Sequence, residues 1–202
     1  MLDRFTMPLT HRPLARLARR FHGRLTPDQV TLGAFVIGMA ALPLLAFEHY
    51  GAALVAIALN RLGDGLDGAL ARLSGKASDA GGFLDIGLDF VFYAAVVLGF
   101  ALADPAANAL AAAFLLFAFM GTATSFLAFA IAAHRRGIKR PRFPQKAFYY
   151  MEGLTEGTET VIALTLFCLL PGHFAWLATL FALACLLTAA TRLWGGYRAL
   201  CR

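Results

Sequence analysis

Charged residues are scarce in this sequence: Asp, Glu, Lys and Arg together make up 15% of its 202 residues. Hydrophobic residues make up 59%, and the mean hydropathy is +0.67. In ordinary soluble domains about a quarter of the residues are charged, because the surface must be solvated. The composition therefore excludes an ordinary soluble domain and predicts a membrane protein.

Cysteine is also rare, and this limits the role of sulfur chemistry. The three cysteines, Cys168, Cys185 and Cys201, lack the spacing that is typical of metal sites. Cys168 and Cys185 lie in apolar runs, where buried thiols are common. We therefore expect neither a cysteine metal site nor a structural disulfide. Internal repeats are absent as well, which favours a single membrane domain.

Three short segments between apolar stretches contain no Lys or Arg: residues 48–51, 104–107 and 171–173. If the N-terminus is cytoplasmic, these segments face outward, and all 18 Lys and Arg residues lie in cytoplasmic segments or the inner part of a span. This distribution follows the positive-inside rule. It predicts an all-α integral membrane protein with six transmembrane helices and both termini in the cytoplasm. The predicted spans lie within residues 30–47, 52–72, 80–103, 108–133, 159–170 and 174–193.

The N-terminal 25 residues combine six arginines with interleaved leucines. No apolar core follows these charges within the segment, so it does not resemble a signal peptide. The spacing predicts an amphipathic helix from Pro13 that lies on the inner leaflet; an irregular charged tail is the alternative. Thr26 and Pro27 are typical of a helix start. We expect residues 1–25 to form a cytoplasmic juxtamembrane segment and residues 26–202 to form the membrane domain.

The net charge of +6 is typical of proteins that bind nucleic acid, but it has another explanation here. Basic cytoplasmic loops against anionic lipid account for it in a membrane protein. We therefore expect membrane lipids, and not nucleic acid, as partners.

Four aspartates interrupt apolar sequence: Asp64, Asp67, Asp85 and Asp89. The first two are three residues apart and the last two are four apart, so each pair shares one face of a helix. Ionised carboxylates inside a membrane are costly unless they pair or bind a cation. Hard divalent cations such as Mg²⁺ take carboxylates together with substrate phosphates. The pattern predicts metal-assisted phosphoryl or phosphatidyl transfer.

Small residues and one arginine accompany the acidic pairs. Gly68, Ala71 and Gly81 share faces with the aspartates, and small residues let a ligand approach the backbone. Arg72 follows shortly after Asp67, and its planar guanidinium suits a phosphate. Together these residues fit the pattern D-x2-D-G-x2-A-R-x8-G-x3-D-x3-D without a departure. The pattern resembles the signature of the CDP-alcohol phosphatidyltransferase family, and the chain is similar to small bacterial inner-membrane members of that family.

The resemblance implies a reaction. A CDP-linked lipid such as CDP-diacylglycerol is the donor, the hydroxyl of a small alcohol or lipid acceptor attacks the lipid-side phosphorus, and CMP leaves. The resemblance also implies two Mg²⁺ or Mn²⁺ ions, an inner-membrane location and a homodimer. Its metal ligands correspond to Asp64, Asp67, Asp85 and Asp89, with Asp89 also the catalytic base. Its nucleotide-binding residues correspond to Gly68, Ala71, Arg72 and Gly81. Related proteins often have Thr-Pro-Asn at their first span; Asp28 departs from this, and we assign it no ligand role.

Two alternatives stay open for the acidic residues. Arg61 has no counterpart in the signature, and it either pairs with an aspartate or contacts a phosphate. Buried ion pairs with Arg61 and Arg72 would explain two aspartates but leave two uncompensated. Intramembrane aspartates also occur in transporters and proton carriers. A transporter would leave the arrangement of Gly68, Ala71 and Arg72 unexplained.

The acceptor site has two candidate locations. A basic loop that includes Arg135 and Arg136 suits a phosphorylated acceptor, although contact with lipid headgroups is the favoured explanation. Glu152, Glu156 and Glu159 share one helical face and suit a cationic amino-alcohol, although ion pairs are the favoured explanation.

Overall fold

The computed structural model describes residues 13–136 and 154–201, and every regular element in these ranges is helical. This confirms the all-α prediction for the described part of the chain. A helix at residues 13–21, here α1, comes first. It is followed by α2 (Pro27–Met39), α3 (Ala41–Ala46), α4 (Tyr50–Ser74), α5 (Asp79–Ala103), α6 (Pro105–Arg135), α7 (Gly157–Leu169), a 3₁₀ turn (Pro171–His173) and α8 (Phe174–Leu200).

Local sequence explains where the helices begin and end. Thr26 is the N-cap of α2, as predicted, and forms a capping box with Gln29. Ser78 caps α5 by accepting a hydrogen bond from the Gly81 N–H at 3.0 Å. Gly75 ends α4 in the left-handed conformation, with φ of 63°, which glycine adopts without a Cβ penalty. These caps set the turn between α4 and α5, which carry the four aspartates.

Within residues 13–136 and 154–201, four helical segments are long and apolar enough to cross a bilayer: Pro27–Ala46, Asp79–Ala103, Pro105–Arg135 and Pro171–Leu200. The helix α7 is apolar but shorter. The helix α4 has 25 residues, but two arginines and two aspartates make it more polar than these four. Length and composition thus support four of the six predicted spans. The spanning of α4 and α7 stays a prediction.

The first span is interrupted between α2 and α3. Pro43 lies four residues after Met39, where α2 ends. Proline lacks an N–H and its ring clashes with the carbonyl four residues earlier, so a continuous helix is disfavoured there. The interruption lets α3 pack against α5 while α2 packs against α4. In this way α2 reaches the aspartates.

Aromatic side chains fill the core at the end of the bundle away from the aspartates. The rings of Phe100 and Phe174 are stacked with centroids 4.5 Å apart, and Phe167 meets Phe174 edge-on at 5.1 Å. All three side chains are buried. Buried Asn108 donates a hydrogen bond to the Phe100 carbonyl at 3.0 Å, which ties the start of α6 to α5. This core holds α5, on which two of the aspartates lie, in a defined position.

The helix α1 packs against the other end of α4. Ala18 is buried in a small cluster with Ala69 and Leu70, while Arg16 and Arg19 are exposed. A helix therefore exists where one was predicted from Pro13. Its position on a membrane leaflet stays a prediction.

The helices α2 and α4 cross at very short range. A Cβ atom added to Gly63 would lie 2.3 Å from the Ala34 Cβ, and one added to Gly38 would lie 2.7 Å from the Asn60 amide nitrogen. Asn60 donates a hydrogen bond to the Ala34 carbonyl at 2.9 Å across this crossing. Small residues at a crossing allow close backbone approach in membranes.

Gly63→Ala is expected to destabilise the protein by about 1–3 kcal/mol, because the added methyl group must push α2 away from α4. Thermal unfolding in detergent micelles measures the effect. Gly51→Ala is the matched control, since Gly51 lies in the same helix with nothing within 4 Å of an added Cβ. Equal melting temperatures for the two variants would show that the crossing tolerates a methyl group.

Candidate active site

The two acidic faces meet, as the sequence predicted. The helix α4 supplies Asp64 and Asp67, and α5 supplies Asp85 and Asp89. All four side chains line one pocket of about 220 Å³, including its open mouth. The pocket is also lined by residues from α2, including Thr31, and by Asn60 and Arg61. Three helices therefore build the candidate site.

Three of the carboxylates are close enough to share a cation. One oxygen from each of Asp64, Asp85 and Asp89 lies within 4.8 Å of the others. Ligands lie about 2.1 Å from Mg²⁺, so oxygens on opposite sides of one ion are about 4.2 Å apart. The limit on the oxygen set, 4.8 Å, is close to that spacing. The donor atoms are hard oxygens, which suit Mg²⁺ or Mn²⁺.

Asp67 is held slightly apart from the other three by a contact from α2. The Thr31 hydroxyl donates a hydrogen bond of 2.5 Å to one Asp67 oxygen. Asp67 is buried, with 5% of its surface exposed. A charge-assisted hydrogen bond fixes the orientation of a carboxylate. Thr31 is not among the residues predicted from the sequence; its one signal is a hydroxyl residue within an apolar run of α2.

Arg61 connects the two acidic helices. Its Nη2 and Nη1 atoms donate to the two oxygens of Asp89 at 2.5 Å and 3.1 Å. Nη1 also donates to the Tyr93 hydroxyl at 2.9 Å and lies 3.6 Å from an Asp64 oxygen. The structure therefore selects one of the two sequence alternatives for Arg61: it pairs with an aspartate. Tyr93 and Asn60, which also contact Arg61, were missed by the sequence analysis.

The pocket lining in the described part of the chain does not include the predicted nucleotide-binding residues, which lie on the neighbouring turns of α4 and at the start of α5. Arg72 is exposed, and its guanidinium folds back over Gly68, where an added Cβ would lie 3.3 Å from Nη1. A Cβ at Gly81 would lie 3.3 Å from both an Asp28 oxygen and the Ser78 hydroxyl. Ala71 lies on α4 between Gly68 and Arg72 and is half-buried. Neither position is open space: a side chain at Gly68 would crowd Arg72, and one at Gly81 would crowd Asp28 and Ser78.

The predicted acceptor residues are only partly described. Glu156 and Glu159 form a capping box at the start of α7, in which the Glu156 N–H donates to Glu159 at 3.2 Å. Glu156 is buried. Arg135 and Arg136 are exposed at the end of α6, and Arg136 donates to the Leu200 carbonyl. Glu152 lies outside the described residues, and so does the part of the basic loop that follows Arg136.

Most of the chain matches one known protein family. The sequence profile of the CDP-alcohol phosphatidyltransferase family matches residues 24–190, which include all four aspartates. The chain belongs to this family. The resemblance inferred from the signature is thereby confirmed, and the protein is a membrane enzyme of phospholipid biosynthesis with a phosphotransferase activity.

Two curated relatives of this CDP-alcohol phosphatidyltransferase differ in how much they share. Inner membrane protein YnjF of Escherichia coli (strain K12) is 54% identical over 199 residues, which cover 98% of this chain and 96% of the relative. Archaetidylinositol phosphate synthase of Pyrococcus horikoshii is 35% identical over 96 residues, which cover 47% of this chain and 51% of that protein.

Solved structures of one mycobacterial enzyme share the fold. Mycobacterium tuberculosis phosphatidylinositol phosphate synthase (PgsA1) in complex with manganese and citrate is 25% identical, with a TM-score of 0.70, over 92% of this chain and 88% of that chain. The same protein with CDP-DAG bound is 24% identical, with a TM-score of 0.67, over 92% of this chain and 94% of that chain.

Proposed function

We propose that this enzyme transfers a phosphatidyl group from a CDP-linked lipid, CDP-diacylglycerol, to the hydroxyl of an alcohol acceptor and releases CMP. The observation that carries the proposal is the convergence of two acidic helix faces on one pocket, with Arg72 exposed on the same helix as Asp64 and Asp67. Carboxylates for metal and a guanidinium for phosphate are parts that phosphatidyl transfer needs.

Asp64, Asp67 and Asp85 hold the divalent cations in this proposal, and Asp89, one turn after Asp85 on α5, is a further ligand. The clustered oxygens of Asp64, Asp85 and Asp89 and the fixed orientation of Asp67 support it. We propose two ions, Mg²⁺ or Mn²⁺, as the physiological cofactors. When bound, they neutralise the donor pyrophosphate and improve CMP as a leaving group.

Asp89 acts as the general base. It takes the proton from the acceptor hydroxyl as that oxygen forms its bond to the lipid-side phosphorus. The bond between this phosphorus and the oxygen that bridges to the CMP phosphate breaks, and CMP carries away the electron pair. The position of Asp89 on the pocket wall, opposite α4, supports this role.

The nucleotide end of the donor binds near Gly68, Ala71, Arg72 and Gly81. The glycines let the donor approach the helix backbone, and Arg72 pairs with a donor phosphate. The exposed position of Arg72 at the end of α4 makes it accessible to a ligand from water.

The membrane arrangement is part of the proposal. The enzyme lies in the inner membrane as a homodimer of six-span subunits, with both termini in the cytoplasm and α1 on the inner leaflet. The name of the E. coli relative and the four apolar helical segments support the location. The lack of Lys and Arg in residues 48–51, 104–107 and 171–173 supports the orientation.

For the acceptor we propose a phosphorylated polyol. The names of the archaeal and mycobacterial relatives describe inositol phosphate lipids, and Arg135 and Arg136 supply exposed positive charge at the end of α6. Glu156 and Glu159 are engaged in capping α7, which weakens the case for a cationic amino-alcohol.

The test is CMP release from CDP-diacylglycerol by the purified full-length protein, with Mg²⁺ or Mn²⁺ and without any ion gradient. The acceptors are glycerol 3-phosphate, inositol, inositol phosphate, serine, choline, ethanolamine and phosphatidylglycerol. Metal-dependent release with a phosphorylated polyol is expected. Release with an amino-alcohol alone would overturn the acceptor class. A protein that neither binds CDP-diacylglycerol nor releases CMP would contradict the proposed reaction and revive the transporter hypothesis.

A further inference from the structure

Arg61 is buried beside the pocket, and its hydrogen bonds are complete within the protein. Its side chain is 13% exposed. A guanidinium has five N–H donors. Nε and Nη2 donate to the Asn60 side chain, Nη2 and Nη1 donate to Asp89, and Nη1 donates to Tyr93. These five contacts match the five donors, so every Arg61 N–H donor has a partner within the protein and none is left for a substrate phosphate.

The guanidinium is also fixed in its plane. Its central carbon lies 4.9 Å from the Phe92 ring centroid and 5.2 Å from that of Tyr93, both on α5. Asn60, which accepts from Nε, is itself tied to α2 through its bond to the Ala34 carbonyl. The guanidinium contacts two aromatic rings and an amide. These contacts leave it little freedom to rotate.

This fixed fork determines how Asp89 faces the pocket. Each Asp89 oxygen accepts from a different guanidinium nitrogen, and Oδ2 also accepts from the Tyr93 hydroxyl at 3.1 Å. A carboxylate offers about four lone-pair sites. The contacts described here use three of them, and the site that is left belongs to Oδ1. Arg61 therefore contacts both Asp89 oxygens and restrains the orientation of the carboxylate.

We propose that Arg61 is a positioning residue for the acceptor-activating base: its bidentate pair with Asp89 presents one Asp89 oxygen to the acceptor hydroxyl. This inference rests on the proposed phosphatidyl transfer. A base must lie within hydrogen-bond reach of the proton that it takes, and a misplacement of about 1 Å can cost about 10²-fold in rate.

The first test is Arg61→Gln in the full-length protein. Its kcat for CMP release is expected to fall by about 10²-fold, with the donor KM within about threefold of the unchanged protein. Mn²⁺, measured by electron paramagnetic resonance without substrates, is expected to bind at least as tightly, since a positive charge has been removed from the site. Arg61→Lys is expected to recover part of kcat, because an ammonium reaches one oxygen without the fork. Arg19→Gln, on the exposed face of α1, is the control.

A loss of kcat together with Mn²⁺ binding at least tenfold weaker would mean that Arg61 only maintains the structure, and would overturn the proposal. The double variant Arg61→Gln, Asp89→Asn is expected to be no slower than Asp89→Asn alone, because both changes affect one step. A multiplicative loss would place Arg61 in another step and would also overturn it.

A separate stability measurement distinguishes this inference from the proposed function. The melting temperatures of the same three variants form a double-mutant cycle, which detects coupling between Arg61 and Asp89 without any substrate. Coupling without CMP release from the unchanged protein would mean that the proposed function fails while the ion pair exists. Additive melting shifts would refute the pair itself, whatever the activity.

Discussion

Asp89→Asn is expected to lower kcat for CMP release by about 10²–10⁴-fold, because an amide cannot take the proton of the acceptor hydroxyl. Binding of CDP-diacylglycerol is expected to stay within a few-fold, since Asp64, Asp67 and Asp85 still hold the ions that bind the donor phosphates and Arg72 is unchanged. The measurements are single-turnover CMP release and donor binding by the purified protein. A kcat loss without a loss of donor binding is the expected signature of a base.

The matched control for this substitution is Asp104→Asn. Asp104 caps α6 by accepting from the Ala107 N–H at 3.0 Å, at the end of the bundle away from the pocket. Asparagine caps helices about as well as aspartate, so this variant is expected to retain activity. If Asp89→Asn weakens donor binding as strongly as Asp64→Asn does, Asp89 is a metal ligand first, and its role as base is refuted.

Asp64→Asn is expected to have the second large effect. The substitution weakens metal binding, and activity falls because the metal is lost. Asp64 is the member of the clustered trio that comes from α4, facing Asp85 and Asp89 on α5. A catalytic metal stabilises the transition state by several kcal/mol, so a fall in activity of about 10³-fold or more is expected. Mn²⁺ titration followed by electron paramagnetic resonance measures the affinity directly.

Two comparisons make the Asp64 result specific. Chelation of metal from the unchanged protein is expected to reproduce the activity loss of Asp64→Asn, and added Mn²⁺ is expected to restore only the unchanged protein. Asp104→Asn again controls for the loss of one negative charge. Normal Mn²⁺ affinity in Asp64→Asn would show that the trio does not hold the ion.

The sequence predicts features that arise within one or two helical turns. The Thr26 cap, the shared faces of Asp64 with Asp67 and of Asp85 with Asp89, and the polar turn between α4 and α5 all appear in the structure. Each depends on residues a few positions apart, where helix geometry alone sets the spacing. The signature could be recognised for the same reason, because its residues lie in one helix–turn–helix segment.

Contacts between distant residues could not be predicted in this way. Arg61 and Asp89 are 28 positions apart, and Thr31 and Asp67 are 36 apart. From sequence alone, Arg61 had two equal alternatives, and Thr31 had no assigned role. The close crossing of α2 and α4 at Gly63 brings Thr31 to the aspartates, and this crossing depends on the packing of whole helices.

The sequence by itself therefore determined the class of the protein and its acidic residues: an apolar all-helical chain, four aspartates on two helix faces, and the family that this pattern identifies. The tertiary structure decided what each aspartate contacts. It paired Asp89 with Arg61 and gave Asp67 a hydroxyl donor from α2. The physical reason is range: helix periodicity orders neighbours along the chain, whereas the partner of a buried charge depends on which helices pack together.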